Sequence, residues 1–303
     1  MTRPLVSVIL PAYNRLPHLR AAIESVHAQT LADWELIIAD DGSDGEAQAY
    51  LSQLTDARIR VLRLPHSGNP SAVRNAAIRN ASGEFLAFLD SDDLWLPHKL
   101  ERQLALMSER PTRRWSYTQI RRIDASGNDA SSKGVVPWRA LDGDIIEPLL
   151  RLEALIATPS VIADRNLVLE AGGFDEQQRF CEDYDLWLRL AMRSEASAFA
   201  DTLACVRVHA DNYSQDRIGA HEGWLRLYSK YAGRLDDPRL RAICRQRRAT
   251  SGLTLAALYG HAGRSRRALR AFADSAADGW SSLGWWPRAA RTLLGLLVRP
   301  LRR

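Results

Sequence analysis

Four strand-like runs of five or six residues lie within the first ninety positions, and three of them stop at a polar cluster. The first, Leu5 to Leu10, is nearly all apolar and is halted by Pro11, as a strand covered on both faces requires. Trp34 to Ala39 is the second and runs into Asp40-Asp41-Gly42-Ser43; Ile59 to Leu64 is the third. Phe85 to Leu89 is the fourth and runs into Asp90-Ser91-Asp92-Asp93. Between the first two, Leu16, Leu19, Ile23 and Val26 recur at helical spacing, and Pro70 to Asn80 reads as a helix before the fourth. This order of strands and helices predicts a largely parallel α/β sheet. Such sheets gather ligands at the carboxyl ends of their strands, which is where Pro11-Ala12-Tyr13-Asn14 and the two acidic clusters fall.

Further along, Trp115 to Ile123 reads as a strand and Asp124 to Asn128 as a hairpin-type turn. Residues 131–142 read as a loop able to lie over a site. A helix is expected from Glu182, a last strand at Cys205 to His209, and helices from Trp224 onward, with a helical hairpin at Leu253 to Asp278. Three scattered cysteines support neither a disulfide framework nor a zinc cluster and fit a reducing compartment. No apolar run approaches the ~18 residues of a spanning helix, and no secretory leader pattern is visible. The net charge of +5 divides unevenly. Residues 220–303 carry 17 Lys and Arg against 5 Asp and Glu, a net of +12, which leaves −7 for residues 1–219. An acidic body with a basic tail predicts two parts with different partners.

The segments VSVILPAYNR, ELIIADDGSDG, the Arg74-Asn75 helix, GEFLAFLDSDD, GGFDE and EDYDLWLRL occur in that order between residues 5 and about 209. Together they resemble the family-2 glycosyltransferases, enzymes of GT-A fold that use nucleotide-sugar donors. The resemblance implies a GT-A-like catalytic domain over residues 1–218 and leaves residues 219–303 as a basic helical region. It also implies an inverting, hexosyltransferase-type reaction that moves a sugar from a UDP-, TDP- or GDP-sugar to a hydroxyl acceptor, with Mn²⁺ or Mg²⁺ as cofactor. Assembly of bacterial surface polysaccharide or another glycoconjugate is the implied setting, with a saccharide or lipid-linked acceptor.

The residues permit that chemistry independently. A diphosphate needs its charge neutralised, and a hard divalent cation held by one or two carboxylates does this. In extended chain, Asp90 and Asp92 would share one side and both face the diphosphate. The resemblance gives Asp92 to the metal and Asp90 to the ribose or the metal shell, with Ser91 between them; a helix-capping role for Asp92 or Asp93 is the structural alternative. The resemblance assigns Asp40 to the base or ribose, and Asp41 is expected in a turn with Gly42. Pro11, Ala12 and Tyr13 are expected as the rim beneath the base, and Arg74 either against the ligand or as a structural ion pair. Asp183 is the implied catalytic base, although acids also favour a helix start. Trp187 could wall the acceptor or belong to the core. His209 is a candidate near the metal or diphosphate, while the other histidines show no ligand spacing.

A sugar-nucleotide-binding protein without turnover would not need Asp90, Asp92 and Asp183 together. A nucleotidyltransferase would show a Gly-rich basic loop after the first strand, which Pro11-Ala12-Tyr13-Asn14-Arg15 is not. No Walker loop, dinucleotide fingerprint or hydrolase elbow is present. Trp280, Trp285 and Trp286 could stack on RNA bases, but no RNA-binding signature accompanies them, so no nucleic acid partner is expected. Over residues 281–303, five arginines and several apolar residues suggest an amphipathic segment at an anionic membrane surface, or alternatively packing on the chain or in a homo-oligomer. A cytoplasmic protein, peripheral at the inner membrane face, is the expected placement.

Overall fold

A computed structural model describes residues 3–130, 138–209, 216–280 and 282–297. The chain forms two compact units, Met1–His209 and Ala210–Arg303. The division precedes residue 218, which lies inside a helix beginning at Arg217.

The first unit is built on one eight-stranded sheet. Its strands are β1 (Val6–Ala12), β2 (Trp34–Asp40), β3 (Ile59–Arg63), β4 (Phe85–Phe88), β5 (Leu94–Trp95), β6 (Trp115–Ile123), β7 (Ile162–Asp164) and β8 (Ala196–Arg207), in the order β3-β2-β1-β4-β7-β6-β8-β5. The β1–β2, β1–β4, β2–β3 and β6–β8 pairs are parallel, while β7 runs antiparallel to β4 and β6 and β5 antiparallel to β8. The helices are α1 (Leu16–His27), α2 (Gly45–Ser52), α3 (Pro70–Asn80), α4 (Lys99–Glu109), α5 (Ile146–Arg151), α6 (Arg165–Glu170) and α7 (Glu182–Ala191). Val6, Val8, Ile9 and Leu10 are wholly buried, which explains why β1 carries no polar alternation. Helix α1 buries Leu19, Ala22, Ile23 and Val26, the face its spacing predicts.

Register places the functional loops side by side. Ala12 pairs with Asp40, and Asp40 with Arg63, so the chain leaves β1, β2 and β3 at one level. Leu89 N–H donates to Ile9 O, which brings Asp90 to the same edge. The last strand starts at Ala196 rather than Cys205: it pairs along β6, with a register shift between Thr118 and Ile120. That irregularity interrupts the alternation by which a strand is read. The expected loop at 131–142 falls partly outside the described residues, from 131 to 137. Its described end is anchored by Tyr117 Oη, which donates to Leu141 O at 2.8 Å.

The second unit is helical: α8 (Arg217–Ala232), α9 (Pro238–His261), α10 (Ser265–Gly279) and α11 (Trp286–Leu297). Asp216 and Asp237 cap α8 and α9 through Gly219 N–H and Arg239 N–H. Trp285 lies across Gly279, where a β-carbon would collide with the indole, and its Nε1–H donates to Ser275 Oγ at 2.8 Å. Trp285 and Ala289 pack with Ala249 and Leu253, so one side of α11 rests on α9.

Candidate functional site

The turns after β1 and β2 interlock. Asn14 N–H donates to Ser43 Oγ at 2.7 Å, and Asp44 N–H donates to Asn14 Oδ1 at 3.0 Å. Asn14 and Arg15 both have φ near +50°. Asn tolerates this conformation; for Arg it is strain that the surroundings must hold. Tyr13 projects from this turn, 46% exposed, and its ring stacks on His66 with centroids 4.3 Å apart. Asp40 and Asp41 take different partners. Asp40 is buried and closes its own turn, accepting from Ser43 N–H at 3.1 Å. Asp41 instead binds the loop after β3, accepting from Ser67 N–H and Oγ–H and from Gly68 N–H at 2.8–2.9 Å. Its Oδ2 is 3.1 Å from His66 Nδ1. His66 showed no ligand spacing, and only the parallel pairing of β3 with β2 brings it to Tyr13. Pro11 and Ala12 are the last two residues of β1, immediately before Tyr13.

The Asp90–Asp93 segment is a tight turn, closed by Asp93 N–H to Asp90 O at 3.1 Å, not extended chain. The two carboxylates take different partners. Asp90 Oδ1 accepts from Arg74 Nη2 at 2.6 Å, whereas Asp92 Oδ2 lies 3.1 Å from His209 Nε2 and 3.3 Å from Arg15 Nη1. Neither Asp92 nor Asp93 caps α4, whose first residue follows His98 without a side-chain cap. Asp93 accepts from Arg207 N–H at 2.8 Å, and Arg207 Nε donates to Asp92 O at 2.9 Å, which ties the end of β8 to this turn. Among the described residues no three His, Cys, Asp or Glu side chains form a metal-ligating group. Asp92 and His209 alone supply one oxygen and one nitrogen donor. That set fits a hard cation taking its remaining oxygens from a diphosphate and water.

Arg74 is buried on α3 and spans two motifs: Nη2 meets Asp90, and Nη1 meets Glu182 Oε1 at 3.1 Å. These are the ion pairs that the structural alternative for Arg74 requires. Its neighbour Asn75 grips the Gly172-Gly173 loop, accepting from Phe174 N–H and donating to Phe174 O, both at 2.8 Å. Gly173 has φ +65°, and a β-carbon there would lie 2.7 Å from Asn75 Oδ1. Gly173→Ala is accordingly expected to cost roughly 1–3 kcal/mol. Thermal denaturation should show a midpoint several degrees lower, and an unchanged midpoint would refute the clamp.

Glu182 and Asp183 open α7 after Cys181, itself at φ +60°. Burial, then the adjacent Glu182 carboxylate, push the Asp183 carboxyl up to about 7. Burial also raises Glu182, against the pull of Arg74. Tyr184 N–H donates to Asp183 Oδ1 at 2.8 Å and orients that carboxyl. Trp187 belongs to the core: it is fully buried, stacked on Trp115 and edge-on to Phe88 and Phe174.

The arrangement thus has ring stacking at Tyr13 and His66, a carboxylate–imidazole pair at Asp92 and His209, and a carboxyl poised near neutrality. Arg74 ties Glu182, the neighbour of that carboxyl, to the acidic turn. The family model for Glycosyl transferase family 2 matches residues 7–158. The UDP-Glc:alpha-D-GlcNAc-diphosphoundecaprenol beta-1,3-glucosyltransferase WfgD of Escherichia coli is 33% identical over 201 residues, 66% of this chain and 75% of that protein. Three other relatives are longer, and the match takes in only 29%, 33% and 33% of their length. Among solved structures, S. aureus TarS 1–349 in complex with UDP-GlcNAc superposes with a TM-score of 0.62 at 18% identity, over 97% of this chain and 81% of that one. The mannosyltransferase PcManGT from Pyrobaculum calidifontis, in complex with GDP-Man and Mn2+, gives 0.61 at 20% identity, over 100% and 83%. At these identities the structural likeness establishes the fold.

Proposed function

This chain belongs to glycosyl transferase family 2 and is a glycosyltransferase, and from that premise we propose a metal-assisted, inverting transfer from a nucleoside-diphosphate sugar to a saccharide hydroxyl. The observation that carries the reading is Asp183: a carboxyl held near pH 7 beside the acidic turn has the basicity that proton removal at neutral pH requires. Its carboxylate takes the acceptor hydroxyl's proton while that oxygen bonds to the anomeric carbon. The bond from that carbon to the diphosphate breaks on the opposite face, and its electron pair leaves with the diphosphate.

The nucleobase lies on the shelf of Tyr13 and His66, with Pro11 and Ala12 at its rim. Asp40 and Asp41 hold the shelf through the turn and the loop they bind. Asp90 and Ser91 face the ribose, with Asp90 oriented by Arg74. Asp92 and His209 would hold Mn²⁺ or Mg²⁺, which when bound neutralises charge on the diphosphate. Arg15, now on Asp92, adds a second positive group at that edge. Given the relative named for UDP-Glc and a diphosphoundecaprenol-linked GlcNAc, the acceptor class we favour is a sugar on a lipid diphosphate, in assembly of a bacterial surface polysaccharide.

The reading is tested by a panel of UDP-, TDP- and GDP-sugars with lipid-diphosphate-linked saccharides, scored for release of nucleoside diphosphate with and without Mn²⁺. Absence of turnover across the panel would sink it. Asp92→Asn should weaken Mn²⁺-dependent nucleotide binding about tenfold or more. Calorimetry showing affinity indifferent to both EDTA and this substitution would remove Asp92 and His209 from the metal.

A further inference from the structure

The apolar arc of α11 is wider than the surface it packs against. Ala289 is buried with Trp285 against Ala249 and Leu253. Trp286, Ala290, Leu293 and Leu294, at positions i, i+4, i+7 and i+8 of the same helix, form an adjoining stripe that stays exposed. Trp286 is 53% and Leu294 62% exposed; Trp280 and Leu283, just before the helix, are 67% and 92% exposed. Trp286 is held outward, its Nε1–H donating to Trp280 O at 2.9 Å. A monomeric surface seldom leaves this many large apolar side chains together in water.

The charges within the segment that carries the stripe have one sign. Residues 279–297 contain Arg288 and Arg291 and no acid, and Arg299, Arg302 and Arg303 follow in sequence. Beside the start of α11 lies a cleft of about 440 Å³ whose lining includes Arg245, Gln246, Thr250, Ser282 and Arg288. The carboxylate on its wall, Asp278, is already paired with Arg248, with Arg248 Nη2 at 2.6 Å. Arg245 and Arg288 therefore line the cleft beside hydroxyl and amide groups, and no ion pair holds either of them among the described residues.

We propose that α11 and this cleft form a docking surface for an anionic phospholipid bilayer. The Trp286–Leu294 stripe enters the headgroup boundary, and Arg245 and Arg288 receive a lipid phosphate. Charge complementarity selects the occupant: exposed tryptophan and leucine flanked by arginines match an interface that is apolar beneath and anionic above. Among the described residues no helix is long and apolar enough to cross a membrane, so contact of this kind lies on the surface. Such placement would bring the enzyme to lipid-linked acceptors, but its test reads binding alone and stands apart from the choice of acceptor.

The test is co-sedimentation of the full chain with phosphatidylcholine vesicles, with or without about one quarter phosphatidylglycerol, at low and high salt. Wild type should partition to the anionic vesicles at least tenfold better than to the neutral ones, and added salt should release it. Trp286→Gln with Leu294→Gln, and separately Arg245→Gln with Arg288→Gln, should each lower partitioning about tenfold. These side chains are exposed, and circular dichroism would verify retained folding. Equal binding to both vesicle types, or variants that bind like wild type, would overturn the proposal. So would a concentration-dependent dimer in sedimentation velocity that the Trp286 and Leu294 changes abolish, because the face would then belong to a second copy.

Discussion

Asp183→Asn is expected to lower sugar transfer by ~10²-fold or more while donor affinity stays within about twofold. An amide accepts no proton from the acceptor hydroxyl, yet it keeps the size of the side chain and an acceptor for Tyr184 N–H. The same carboxyl sets the pH dependence of the wild type. With its value raised to about 7, transfer should climb as pH rises through 7 and flatten above, where the base is ionised. Stability should move the other way. The folded state binds a proton at Asp183 more tightly than the unfolded chain does, so this group's contribution is most favourable below the ordinary carboxylate range and is lost as pH rises towards and through about 7. Asp183→Asn removes that charge, so its melting temperature at pH 8 should equal or exceed that of wild type. Near-normal transfer by the folded variant would exclude Asp183 as the base.

Arg74→Met should produce the largest loss of stability at the site. It strips the shared cation from Asp90 and Glu182, whose side chains are only 26% and 11% exposed. Removing one partner of a buried ion pair typically costs about 3–5 kcal/mol, because the other charge is left uncompensated. Lys is not a full substitute, since one ammonium does not reproduce a guanidinium that reaches two carboxylates on separate Nη atoms. Urea denaturation should show the deficit shrinking as pH falls and the orphaned Glu182 carboxyl, already raised by burial, protonates. A deficit below ~1 kcal/mol that ignores pH would mean that the strut does not carry this weight.

The two expectations share an origin. Arg74 pulls Asp183 down while burial and Glu182 push it up more strongly, so the raised value is what remains after partial compensation. Arg74→Met should therefore move the acidic limb of the transfer profile upward, whereas Gly173→Ala, which disturbs the loop held by Asn75, has no such charge to remove.

What local periodicity and turn chemistry dictate was legible from the sequence. Strands β1, β2 and β4, the buried face of α1, and α3 and α7 follow from short-range patterns that the finished fold preserves. The gathering of polar strand ends at one edge followed from parallel connectivity alone. Strands β5 and β7, at two and three residues, are too short to carry a period and exist because neighbouring strands offer them partners. The direction of each site side chain was likewise a tertiary matter. Extended chain would align Asp90 with Asp92, but the turn at Asp93 sends one to Arg74 and the other to His209. His66 meets Tyr13 only through the pairing of β2 with β3, and Arg74 meets Glu182 across 108 positions of sequence. Sequence spacing supplies the kinds of groups and their order, because these depend on near neighbours. Where each group points, what it pairs with and how readily Asp183 ionises depend on burial and charges brought from distant segments, which only the closed sheet and its packed helices determine.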